Sequence, residues 1–144
     1  MPFVTDRQRR YLQVNKPDVY REFKAAEERG DVDTKPPVTV AAAARRGLEL
    51  RREYGRGGTA VGVAQARNLS NRKELSVDTA RRMVAYFERH EVDLKAPAAK
   101  RGNPGYPSAG YIAWLLWGGD AGRTWARKIM RQQARVDEAQ KEMG

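Results

Sequence analysis

Apolar residues recur along this chain at spacings of three and four, and no segment alternates apolar with polar positions as a half-buried strand does. The pattern predicts helices almost throughout. Thr5, with Gln8 three residues on, opens a short charged helix. Pro17 suits the first turn of a second helix, which carries Val19, Phe23 and Ala26 on one side and ends before Gly30. The period then breaks at Asp31-Val-Asp-Thr-Lys-Pro-Pro37, because a proline pair disfavours helix and favours extended chain. This divides the chain into an N-terminal helical arm with its linker, 1–37, and a second region, 38–144.

In that second region, Thr39 is expected to cap a helix over 40–54, with Val40, Ala44, Leu48 and Tyr54 on its buried side and Gly55 as its stop. Gly55-Arg-Gly-Gly-Thr59 makes a turn, and Thr59 caps a small-residue helix over 60–67. Residues 68–71 form a turn or irregular connection. Ser76 caps a helix through His90, with Asp78 in its first turn and an apolar stripe of Val77, Ala80, Val84 and Phe87 beside Met83. Residues 91–107, rich in Pro, Gly, Ala and Lys, read as loop. Ser108 caps a helix over 109–117 that is apolar around most of its circumference, the mark of a buried helix. Gly118-Gly119 stop it, and Asp120 caps a long last helix with Trp125, Ile129 and Val136 as its stripe. The fold class is therefore all-α: a small multi-helix bundle with a trihelical, helix-turn-helix-like middle and a long C-terminal helix.

The dense block 105–125 holds all three tryptophans. Tyr111, Trp114, Leu115 and Gly118 share a face, widened by Ile112, Leu116 and Trp117. Large aromatics at helical spacing fill interiors, so this block is read as core rather than as an exposed stacking platform for bases. From Arg131 onward the last helix is nearly all polar, a surface for a partner or a second copy of the chain.

Composition narrows the function. Among 144 residues, Lys and Arg number 28 against 18 Asp and Glu, a net charge of +10. Mean hydropathy is −0.79. Such a balance favours a polyanionic partner: nucleic acid, an acidic protein face or an anionic membrane surface. No apolar run approaches the roughly 20 residues that span a bilayer, and the N-terminal residues lack a signal-peptide pattern. Cysteine is absent, which excludes disulfides, thiol catalysis and cysteine-based zinc sites.

Candidate chemistry is sparse. Gly55-Arg-Gly-Gly-Thr59 precedes a helix, yet no strand leads into it and the Gly-Lys-Ser/Thr ending of a nucleotide loop is missing, so it reads as a helix stop and a cap. His90 is the single histidine. Glu88, Glu91 and Asp93 lie near it but diverge around a helix end, so a capping role is expected and no metal site. Nothing supplies a base for a nucleophile. The expectation is a protein without cofactor, metal or catalytic residues, and not an enzyme.

The basic middle carries the functional signal. The expected nucleic-acid-binding residues are Arg45, Arg46, Arg52, Arg56, Arg67, Arg72, Lys73, Arg81 and Arg82, with Asn68, Ser70 and Asn71 beside the backbone phosphates. The outline resembles a helix-turn-helix, although the connection 68–75 exceeds the ~3–4 residues of a tight one.

Two resemblances extend that reading. Ala42-Ala-Ala-Arg-Arg-Gly-Leu-Glu-Leu-Arg-Arg-Glu-Tyr-Gly-Arg-Gly-Gly-Thr-Ala-Val-Gly-Val-Ala64, with Gly105-Tyr-Pro-Ser-Ala-Gly110 and Trp114-Leu-Leu-Trp-Gly-Gly-Asp-Ala-Gly122, resembles a helical module of tailed-bacteriophage proteins, found alone or fused to virion and DNA-associated proteins. The opening Asp6-Arg-Gln-Arg-Arg-Tyr-Leu-Gln-Val-Asn-Lys-Pro17 resembles a short N-terminal motif of small phage proteins. The resemblance implies a phage or prophage source, a virion or host-cytoplasm location, and an assembly or DNA-linked role, and it brings no catalytic residues. Two alternatives stand beside DNA contact: a structural virion component docked on an acidic protein surface, and an effector that binds a host protein.

Overall fold

The computed structural model describes residues 32–143, all of them helix, turn or extended connection without strands. The expected helices after Thr5 and Pro17 lie outside the described residues. Five α-helices follow: α1 Val38–Tyr54, α2 Ala60–Ser70, α3 Val77–His90, α4 Ala109–Leu116 and α5 Gly119–Met143. The fold is all-helical with a long C-terminal helix, as the periodicity predicts. Thr34–Lys128 makes one compact unit, and α5 from Ile129 onward belongs to a second. The packing below is that of the first unit.

α1 starts two residues before the expected site. Pro37, extended at φ −62° and ψ 160°, is its N-cap, with no side-chain cap. Thr39 lies inside the helix instead. The proline pair fixes an extended entry, and the Ala41 amide at once donates to the Pro37 carbonyl (3.0 Å). The buried face is Val40, Ala41, Ala44, Gly47 and Leu50. Leu48 is only half-buried and Tyr54 is 42% exposed, so the stripe is rotated from the expected one. The reason is that α1 packs against two neighbours, α2 and α4, and its small residues turn toward both. At the far end Gly55 takes the left-handed conformation (φ 65°) that glycine adopts without steric cost, and its amide closes on the Arg51 carbonyl.

α2 also exceeds its expected length. Thr59 caps it, accepting from the Gly62 amide (3.3 Å), but the helix continues through Asn68 and Leu69 to Ser70. Leu69 is fully buried, and that burial outweighs the turn preference of the Asn and Ser around it. Arg72 then holds a left-handed φ of 53°, and Lys73 closes on the Asn68 carbonyl. The connection to α3 is fastened to the start of the unit: Leu75 donates to the Thr34 carbonyl (3.1 Å) and Arg72 Nε to the Pro36 carbonyl (2.8 Å).

Ser76 caps α3 through the Thr79 amide (3.1 Å), and Ser108 caps α4 through the Tyr111 amide (3.0 Å). The buried face of α3 is Ala80, Met83, Tyr86 and Phe87; Val77 and Val84 are half-buried. Residues 91–107 are more ordered than a plain loop, with 3-10 turns at Glu91–Lys95 and Pro97–Ala99. Asp120 is not the cap of α5. It sits in the first turn, after Gly119, and its carboxylate accepts instead from Trp114 Nε1 (3.0 Å).

The aromatic block is core. Trp114 is 2% exposed and Trp125 8%; Ile112 and Leu116 are fully buried. Phe87 meets Trp114 edge to face (4.8 Å, 71°), so α3 is anchored on α4. Of the trihelical middle, α1 packs along α2, whereas α3 packs on α4 and the first 3-10 turn.

Candidate nucleic-acid interface

Among the described residues no charged side chain is buried, so every cation stands at the surface. What separates them is the partner each one has. Arg56 is committed to the fold. Its guanidinium donates to the Pro107 carbonyl (3.1 Å) and the Gly105 carbonyl (3.2 Å), clamping the segment before α4, and it lies 5.4 Å over the Tyr54 ring. Arg72 is committed in the same sense to Pro36. Arg51 donates to the Gly57 carbonyl (3.0 Å), and Gly57 lies against Ile112, so the glycine turn 55–59 is taken up by packing.

A second group is paired with carboxylates. Arg46 meets Glu49 (3.3 Å), while Asp78 takes both Arg81 (3.1 Å) and Arg82 (3.1 Å). All are solvent-exposed pairs, which contribute little to stability. On α3 the single Asp78 carboxylate offsets one of the two positive charges of Arg81 and Arg82.

The third group is unpaired. Arg45 reaches only the Ser70 carbonyl, at 3.5 Å, at the negative end of α2. The exposed side chains of Arg52, Arg67 and Lys73 make no ion pair or hydrogen bond among the described residues. Residues 54–73 contain no carboxylate at all. The α1–α2 hairpin and the two residues after Asn71 therefore carry a surplus of positive charge that Glu49 and Glu53 do not balance. Asn68 is half-buried in α2, and Ser70 Oγ donates to the Arg67 carbonyl (3.0 Å), so one of the polar residues expected beside phosphates is engaged by its own helix.

The histidine is accounted for differently from the expectation of a cap. His90 Nδ1 lies 3.0 Å from Asp93 Oδ2, and its ring stacks on Tyr86 (4.5 Å). Tyr86 in turn stacks on Trp117 (4.6 Å, 13°). The Tyr86 hydroxyl is buried without a hydrogen-bond partner, and burial, aided by the Asp93 carboxylate, raises its pKa well above that of an ordinary tyrosine. Tyr111 is also raised, first by burial and then by its hydrogen bond to Tyr106. Among the described residues no cluster of three or more His, Asp or Glu could hold a metal ion. None of their helices is long and apolar enough to cross a membrane.

The role of Tyr86 lies beside the expected stripe of α3 and had no local signal, since its burial depends on Trp117, 31 positions along the chain. Arg51, Arg56 and Arg72 as fasteners were equally hidden: a cation's acceptor is set by which carbonyl the tertiary fold brings near.

No protein-family model, curated protein or solved structure matches the chain.

Proposed function

We propose that this chain is a basic helical binding protein that contacts DNA through its arginine clusters, in a virion-assembly or DNA-linked role. The observation that carries the reading is the surplus positive charge of the α1–α2 hairpin, on a protein with net charge +10. Cations left without protein partners keep their full electrostatic attraction for phosphates, and displacement of counterions from DNA then drives binding. The phage setting rests on the resemblance of 42–64, 105–110 and 114–122 to the tailed-bacteriophage module.

An electrophoretic mobility shift of the full chain on DNA at low and raised salt tests the reading. Binding at low salt that weakens steeply as salt rises supports it. Absence of a shift even at low salt overturns it and turns attention to an acidic protein surface, on a virion or in the host, as the partner of the same cations.

A further inference from the structure

Resting on that reading, we infer that the partner is duplex DNA held by its phosphates along one edge of the α1–α2 hairpin, through Arg45, Arg52, Arg67 and Lys73. Arg45 and Arg52 lie seven residues apart on α1, two helical turns and about 10 Å. The contact of Arg45 with the Ser70 carbonyl brings this edge beside the C-terminal end of α2, where Arg67 is one turn back and Lys73 just beyond. The carboxylates nearest in sequence are Glu49, held by Arg46, together with Glu53 and Glu74 at the margins.

The choice of duplex over single strand follows from the aromatic residues. Proteins that hold single strands pair a cationic groove with exposed rings on which bases stack. Here Trp114 and Trp125 are buried, Tyr86 stacks on both Trp117 and His90, and Tyr106 lies 5.5 Å from Tyr111. Tyr54, the one aromatic that is largely exposed among the described residues, has the Arg56 guanidinium over it. Among the described residues the hairpin edge offers charge with no exposed ring besides Tyr54, which suits a regular phosphate backbone.

The test measures fluorescence anisotropy of a labelled mixed-sequence DNA duplex and of its single strand against three forms of the full chain. These are the wild type, the combined variant R45A/R52A/R67A/K73A, and the control variant K100A/R101A, two exposed cations outside the hairpin; thermal melts confirm that each is folded. The expected result is tighter binding of the duplex than of the single strand by the wild type. The hairpin variant should bind at least about tenfold more weakly, with a salt slope shallower by roughly three to four, and the control should stay within about threefold of wild type. If duplex binding persists in the hairpin variant, or the single strand binds more tightly, the inference falls while DNA binding itself stands. If the wild type binds neither form, both the inference and the functional reading fall.

Discussion

Gly47 of α1 lies directly against the backbone of Leu116 in α4: a Cβ at Gly47 would stand 2.8 Å from the Leu116 amide nitrogen and 3.0 Å from the Leu115 carbonyl carbon. Both neighbours are backbone atoms, so neither can swing aside. The closeness of this crossing sets the distance between the aromatic helix and the basic hairpin. Gly47→Ala should gain up to ~1 kcal/mol of helix propensity and still lower net stability by about 1–3 kcal/mol through overpacking. Chemical denaturation measures it; an unchanged or raised midpoint would show that the two helices can separate at little cost.

The Trp114–Asp120 hydrogen bond joins α4 to the first turn of α5 across the Gly118-Gly119 junction. Asp120→Ala leaves an indole N–H on a nearly buried ring without an acceptor and removes a carboxylate from a helix N-terminus. The expected cost is about 1–2 kcal/mol. Asp120→Asn keeps an acceptor oxygen and should retain the larger part of that stability. Equal losses in the two variants, read from denaturant midpoints, would assign the effect to charge alone.

Tyr86 makes an opposite prediction. Its hydroxyl is buried and unpartnered, so Tyr86→Phe should leave stability unchanged or raise it by up to about 1 kcal/mol. The sign with pH follows from the raised pKa. The folded state holds the phenolic proton more tightly than the unfolded state, so stability is full below pH ~10 and declines as pH rises beyond it. Tyr86→Phe should reduce that alkaline decline, with Tyr111 supplying what remains. Melting temperatures of both proteins on either side of pH ~10 check this; parallel declines would contradict it.

Arg56 separates structure from binding. Arg56→Ala removes the clamp on Gly105 and Pro107 and should lower stability by about 1–2 kcal/mol, with faster amide exchange in the segment before α4. DNA affinity at fixed salt should change by less than about threefold, because this cation is already committed. A large affinity loss without destabilisation would move Arg56 into the interface.

Three of the five expected caps hold among the described residues. Thr59, Ser76 and Ser108 all cap as their positions predict, because a cap needs only the amides two or three residues on. Helical spacing likewise identified the aromatic block as core. The differences have two causes. Thr39 falls inside α1 because the neighbouring proline pair starts the helix at Val38, whereas Leu69, Asp120 and Tyr86 depend on burial or partners that only the folded chain supplies, the last two on the Trp114 indole and the Trp117 ring. The candidate interface was legible as a set of nine cations but not as an arrangement. Arg56 reaches carbonyls about 50 positions away and Arg72 one 36 away, and no spacing rule reveals that.

The proposed DNA contact rests on a small number of unpaired cations on the α1–α2 hairpin. The salt dependence of wild-type binding to duplex DNA addresses it most directly. Four phosphate contacts predict that log K falls linearly with log salt at a slope of about −3 to −4. A slope near zero, or no binding at low salt, would contradict that proposal.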